Sequence, residues 1–155
     1  MTITNLILKS DYSTLDEQGK KYYNAALVME YPWILKKEDR TEDYDFSWNF
    51  FDLFPKGWIK AFMKDMCEEI NAAYNKLTDE QKEDFEIIEQ KEKWGRMIIE
   101  FYPYTDDLLK ISEKYFDLSA TVCQKCGAPA TKVTKGWIGY YCDEHATGEY
   151  SDLSE

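Results

Sequence analysis

Residues 123–145 read CQKCGAPATKVTKGWIGYYCDEH and contain three of the four cysteines and the only histidine of the chain. Two residues separate Cys123 from Cys126, and two separate Cys142 from His145, with fifteen residues between the pairs. Paired thiolate and imidazole ligands at this spacing are typical of a tetrahedral zinc site. The sequence therefore predicts one zinc ion, bound by these four side chains.

A structural role is expected for this zinc, because four protein ligands fill the tetrahedron and a catalytic zinc keeps one position open for water. Gly127 allows a tight turn after the first pair of ligands. The spacer is long enough for a hairpin, with residues 130–134 leading out, a turn at 135–136 and residues 137–141 returning. Iron and a cysteine redox pair are the alternatives, but a redox pair leaves the second pair of ligands without a role.

The composition indicates a globular chain of one domain, or of one domain with a small appended module. It has 155 residues, 44% of them hydrophobic and 16% aromatic, which is ample for a core. No apolar run approaches the length of a membrane span, and the first residues lack the pattern of a signal peptide. We therefore expect a cytoplasmic protein, in which clustered cysteines indicate metal binding more than disulfides.

The pattern along the chain predicts an α+β fold, with helices packed on a small antiparallel β-hairpin and a C-terminal zinc-knuckle hairpin of the zinc-ribbon or treble-clef kind. We divide the chain into a body (1–120), a zinc module (121–147) and an acidic tail (148–155). Within the body we expect an N-terminal helix region (1–30), an acidic and aromatic loop region (31–54), a main helix (55–77), a β-hairpin (85–102) and a last helix (105–118).

Local signals set these boundaries. Thr14 begins a capping-box pattern and predicts that the first helix runs from there to Glu30. Pro55 suits the first turn of the main helix, whose apolar residues recur at helical spacing. Gly95 can supply the positive φ of a hairpin turn, and Thr105 is the expected N-cap of the last helix.

Two surfaces are candidates for contact with a partner. The zinc hairpin carries cations beside aromatic rings, which can pair with phosphates and stack on bases; its candidate residues are Lys125, Lys132, Lys135, Trp137 and Tyr140. The loop region carries a cluster of carboxylates, namely Glu38, Asp39, Glu42, Asp43 and Asp45. The formal charge of −11 opposes nucleic acid overall, and residues 121–147 are the one positive segment, at +1.

Enzymatic function has little support in the sequence. With His145 assigned to metal, no histidine remains for general acid–base catalysis. The chain has no glycine-rich phosphate loop and no nucleophile elbow. A metal-dependent hydrolase built from carboxylate pairs stays open as a second alternative.

The sequence resembles a family of uncharacterised proteins of bacteria, phages and prophages over roughly residues 31–147. The shared blocks are Pro55-Lys-Gly57-Trp58, Ala61-Phe62, Met66-Cys-Glu-Glu-Ile70, Gln90-Lys-Glu-Lys-Trp-Gly95, Cys123-x-x-Cys126-Gly127-Ala-Pro129, Gly136-Trp137-Ile138 and Cys142-Asp143. Similar proteins often carry a fourth cysteine in place of His145, which preserves zinc binding. The resemblance implies a habitat in mobile elements and transfers no activity.

These observations together favour a non-enzymatic, zinc-stabilised acidic protein that acts through protein–protein contact. One such role is inhibition of a host defence complex, for example a CRISPR effector, whose basic nucleic-acid channel an acidic surface can occupy. A nucleic-acid-binding adaptor that uses the zinc hairpin is the first alternative. The sequence does not indicate an oligomeric state.

Overall fold

The computed structural model describes residues 3–153, and it confirms the α+β fold. The α-helices are α1 (Ile3–Leu8), α2 (Glu17–Glu30), α3 (Lys56–Asn75), α4 (Asp79–Asp84) and α5 (Asp106–Leu118). The strands are β1 (Glu86–Lys93), β2 (Arg96–Tyr102), β3 (Lys132–Thr134), β4 (Tyr140–Tyr141) and β5 (Tyr150–Asp152). Strands β1 and β2 form one antiparallel sheet, and a second sheet has the order β4-β3-β5.

The predicted main helix is α3, and its apolar stripe lies at the centre of the core. Trp58, Met66 and Ile70 on this stripe are completely buried. Helix α5 packs against the same helix, where the rings of Phe62 and Tyr115 meet at 5.5 Å between centroids. None of the described helices combines the length and the apolar character that a membrane crossing demands.

The β1–β2 hairpin closes through a two-residue turn, Trp94-Gly95, in which both residues have positive φ, 55° and 77°. Two successive positive φ angles define the turn type whose twist matches that of the flanking strands. The prediction that Gly95 supplies a positive φ is therefore confirmed. Met97, Ile99 and Phe101 of β2 point into the core and are buried.

The loop region 31–54 holds no α-helix or β-strand, yet it contributes much of the core. It contains three short 3-10 turns, and several of its aromatic rings are buried, namely Trp33, Phe50, Phe51 and Phe54. A pair of buried amides fixes its path: Asn49 Nδ2 donates to Asn24 Oδ1 at 2.6 Å. Asn24 Nδ2 in turn donates to the Phe46 carbonyl at 2.8 Å. Asn24 of α2 thus fixes the loop region through side-chain hydrogen bonds, in a segment that has no regular secondary structure of its own.

Several boundaries differ from the predictions: α3 ends at Asn75, two residues early, β1 begins at Glu86, one residue late, and the starts of the first two predicted helices also move. The first helix does not begin at Thr14, because Asp16 is the N-cap and its carboxylate accepts from Gly19 N at 2.7 Å. Thr14 lies in a preceding 3-10 turn, where its hydroxyl donates to the Asp11 carbonyl. The predicted N-terminal helix region therefore contains two α-helices. Helix α3 begins one residue later than predicted, with Pro55 as its N-cap.

The predicted acidic tail also differs from the structure. Strand β5 lies within residues 148–155 and pairs with β3 along its whole length. Three backbone residues of the tail therefore belong to the sheet of the zinc module. This pairing has no signal in local propensity, because a three-residue strand gains its stability only from its partner.

Replacing Asn24 with Ala should destabilise the protein by about 2 kcal/mol, because the buried amide of Asn49 then loses its acceptor. The measurement is the free energy of unfolding in urea. Asn75→Ala is the matched control, since Asn75 is exposed near the end of α3, and it should leave stability within about 0.5 kcal/mol. Equal effects of the two substitutions would contradict the proposed anchoring of the loop region.

Candidate metal centre

Two tight turns present the four predicted ligands. In the first, Gly127 has φ 78° and its N–H donates to the Cys123 carbonyl at 2.9 Å. In the second, directly after β4, His145 N donates to the Cys142 carbonyl at 3.2 Å. Each turn brings two ligands separated by two residues to the same side of the backbone, as the sequence spacing predicts.

The ligand atoms converge as a metal site requires. All four lie within 4.8 Å of one another. Cys126 Sγ and Cys142 Sγ are 3.7 Å apart, and His145 Nδ1 is 3.1 Å from Cys142 Sγ and 3.6 Å from Cys123 Sγ. Bonds of about 2.3 Å to sulfur and about 2.0 Å to nitrogen put tetrahedral ligand atoms about 3.5 to 3.8 Å apart. The cluster therefore fits a single four-coordinate ion, with the histidine binding through Nδ1.

The surroundings of the sulfurs favour one thiolate in advance of metal binding. Burial opposes ionisation of Cys123, but backbone N–H groups of Cys142, Cys126 and Lys125 lower the pKa of its thiol to about 6. At Cys126 the N–H of Ala128 favours the thiolate, yet burial and the neighbouring sulfurs outweigh it and raise the pKa. A bound metal cation would remove this increase in the pKa of Cys126, because it neutralises the repulsion between the sulfurs.

The fourth cysteine lies elsewhere. Cys67 is on α3 and only 2% exposed, and burial raises the pKa of its thiol. Cys67 is therefore a buried thiol of the core. It takes no part in the metal cluster.

The first ligand turn is joined directly to the start of α3. The N–H of Gly57, in the first turn of that helix, donates to the Gln124 carbonyl at 2.8 Å. First-turn N–H groups have no partner within a helix, so this bond caps α3 from the metal site. The contact leaves no space for a side chain, since a Cβ on Gly57 would lie 1.9 Å from the Cys123 carbonyl oxygen.

We call residues 121–153, which hold the four candidate ligands and the β4-β3-β5 sheet, the metal module. The β1–β2 hairpin makes a second contact with this module, centred on Tyr140. Tyr140 exchanges two hydrogen bonds of 3.0 Å with Gln124, one to its backbone and one to its side chain. A Cβ on Gly95 would lie 2.9 Å from the Tyr140 ring, so the hairpin turn rests on that ring. The Arg96 guanidinium lies between the Tyr140 and Phe116 rings, 5.8 Å and 4.9 Å from their centroids.

These contacts give a further physical reason for three glycines of the sequence. Gly57, Gly95 and Gly127 belong to separate blocks of the family resemblance, and all three lie where backbone of the body meets the metal module. A glycine early in a helix is unfavourable for the helix itself. That local cost was the available signal that Gly57 serves a close contact.

The predicted nucleic-acid residues fall into two groups. Lys125, Lys135 and Trp137 are exposed, with Trp137 at 84%. Lys132 is half-buried and its ammonium contacts the Asp152 carboxylate, a hydrogen bond that raises the pKa of the lysine. Tyr140 is held between the hairpin and the first ligand turn. The structure therefore leaves three of the five residues accessible for contact.

The predicted acidic contact surface is largely accessible. Glu38, Glu42, Asp43 and Asp45 are exposed, and Asp39 is half-buried. Hydrogen bonds from Ser47 stabilise the charged form of Asp45 and thereby lower its pKa. The loop lies beside the end of α4, where Lys37 Nζ is 3.8 Å from the Asp84 carboxylate.

Gly57→Ala should separate the metal module from α3, because the added methyl group meets backbone that cannot move aside. We expect a loss of at least about 2 kcal/mol in stability and a marked rise in amide exchange at Gln124 and Tyr140. Gly19→Ala in α2 is the matched control, since its nearest contacts are side-chain atoms at 3.1 Å or more. A Gly57→Ala protein with wild-type stability and exchange would contradict the docking.

Comparison of the chain with protein-family models, with curated proteins and with solved structures gives no match. The resemblance to a family of mobile elements therefore stays a prediction.

Proposed function

We propose that Cys123, Cys126, Cys142 and His145 bind one structural zinc ion, and that the protein acts by contact with a partner. The donor set supports zinc, because three thiolates and one imidazole at tetrahedral spacing suit this ion. A reducing compartment such as the cytoplasm keeps the thiols available to it. Iron in the same ligand set and a redox pair of Cys123 and Cys126 are the alternatives, and the redox pair is less well supported because it leaves Cys142 and His145 without a role.

The four-ligand cluster is the observation that carries the contact role. With four protein ligands, zinc has no coordination position left for a water molecule or a substrate. The chain has a single histidine, and in the structure its Nδ1 faces the sulfurs. The metal would therefore stabilise the module and its contact with α3, and the surface would perform the function.

The acidic surface supports a basic protein partner. The chain has 30 acidic and 19 basic residues, and four carboxylates of the loop region project into solvent. The electrostatic field of these negative charges attracts and orients a partner of opposite charge. A protein with a basic nucleic-acid channel matches it, and effectors of host defence such as CRISPR complexes have channels of this kind. Occupying that channel would inhibit the effector.

The purified protein should contain one zinc ion per chain, measured by elemental analysis. Cys142→Ala should lose this zinc to a competing chelator, whereas Cys67→Ala should retain it because Cys67 lies in the core. Chelation of the wild-type protein should increase amide exchange across residues 121–153, because metal binding supplies the folding free energy of a module this small. Strands β1 and β2 should remain protected. If elemental analysis found no metal in the purified wild-type protein, the zinc site would be refuted.

Neutralising the acidic loop should abolish partner binding. The variant carries Glu38→Gln, Glu42→Gln, Asp43→Asn and Asp45→Asn. A matched control with the same change in charge carries Glu30→Gln, Asp65→Asn, Glu68→Gln and Glu80→Gln, all at exposed positions. After nuclease treatment of a cell extract, the wild type and the control should retain the same basic nucleic-acid-binding proteins, identified by mass spectrometry. Equal retention by the loop variant would contradict the assigned surface.

A further inference from the structure

Three turns meet at one end of the molecule, and Tyr140 lies between them. The first is the β1–β2 turn, where Gly95 packs on the Tyr140 ring. The second is the first ligand turn, where Gln124 exchanges hydrogen bonds with Tyr140. The third is the β3–β4 loop (135–139), whose Ile138 carbonyl oxygen would lie 3.2 Å from a Cβ on Gly95.

Each turn of this end carries an exposed lysine, and two of the turns carry an exposed tryptophan. Trp94 and Trp137 are 65% and 84% exposed, which is unusual for the largest apolar side chain. Lys93, Lys125 and Lys135 are also exposed. Within residues 3–153 none of these three lysines has a carboxylate within ion-pair distance. We call these five residues the basic-aromatic tip.

The fold itself does not explain Trp94. Its φ of 55° is an unfavourable conformation for a bulky residue, and asparagine is the residue that such a turn prefers. Most of its ring lies in solvent, so it adds little to the core. Trp137 sits in a loop that Thr134 already fixes through hydrogen bonds to the Trp137 carbonyl and to Gly139 N. Neither indole is needed to hold its own turn.

The tip is separated from the acidic loop by the length of the hairpin. The loop contacts Asp84, two residues before β1 begins, and the tip is at the other end of that strand. Eight extended residues span about 26 Å, several times the distance over which salt screens exposed charges. Near the tip, Glu92 turns its carboxylate to Gly95 N at 2.8 Å. The tip thus holds three exposed lysines beside the Glu92 carboxylate, although the chain as a whole carries a net charge of −11.

We propose that the basic-aromatic tip binds single-stranded nucleic acid, with unpaired bases stacked on Trp94 and Trp137 and phosphates paired with Lys93, Lys125 and Lys135. Exposed aromatic rings beside unpaired cations are the arrangement that binds single strands with little dependence on sequence. A flexible strand can reach a small patch with a few nucleotides. A duplex or an anionic bilayer instead brings a broad negative surface against an acidic body. This site goes beyond the proposed protein contact and uses a different surface.

The experiment measures fluorescence anisotropy of labelled twelve-residue oligo(dT) and oligo(U) with the zinc-loaded full-length protein, across a salt series. The double variant Trp94→Asn, Trp137→Ala should weaken binding at least tenfold, because it removes both rings on which bases stack. Asparagine is chosen at position 94 because it keeps the geometry of the turn. Tyr104→Ala should have no effect, although Tyr104 is 79% exposed. Replacing the three tip lysines with glutamine should reduce the slope of log affinity against log salt by about 2.

A matched triple variant, Lys21→Gln, Lys64→Gln and Lys110→Gln, removes the same charge from exposed positions of α2, α3 and α5 and should retain both the affinity and the slope. Zinc content of every variant shows whether the metal module is intact, which separates failure of the tip from failure of the zinc site. Three results would overturn the proposal: no binding of either oligonucleotide at low salt, equal binding by tip and control variants, or binding to anionic phosphatidylglycerol vesicles in place of oligonucleotides.

Discussion

The contact between Gly57 and the Cys123–Gln124 backbone is the constraint on which the arrangement depends. It satisfies the free N–H of Gly57, in the first turn of α3, with a carbonyl from the first ligand turn, and it places the Cys123–Gln124 backbone against the N-terminal end of that helix. The central helix of the core and the cluster of cysteines therefore form one unit. The body and the metal module are distinct in sequence but share an interface that leaves no space for a side chain at position 57.

Much of this architecture could be predicted from the sequence because the determining signals are local. The ligand spacing, the apolar stripe of α3, the glycine of the β1–β2 turn and the Thr105 cap of α5 each act within a few residues. Competing local signals were harder to rank. Thr14 and Asp16 both resemble N-caps, and burial of Tyr12 fixes the preceding 3-10 turn so that Asp16 is the cap.

The remainder depended on contacts between distant residues. The path of residues 31–54 follows from a buried pair of amides, Asn24 and Asn49, which no periodicity reveals. Strand β5 exists only as a partner of β3. The availability of the cations was likewise a tertiary property: Lys132 and Lys135 look alike in sequence, but the first contacts Asp152 and the second is free to meet a ligand. The metal ligands were evident in the sequence, whereas the surface that surrounds them was not.

The order of residues along the chain has a consequence for synthesis. The partner of Gly57 N belongs to the last third of the chain, and β5 follows the final metal ligand. On the ribosome, α3 therefore emerges long before the group that caps it, and its first turn frays until the cysteine-rich segment arrives. The first ligand turn and strand β5 are made only when synthesis is almost complete, so the N-terminal end of the central helix is the last part of the core to become fixed.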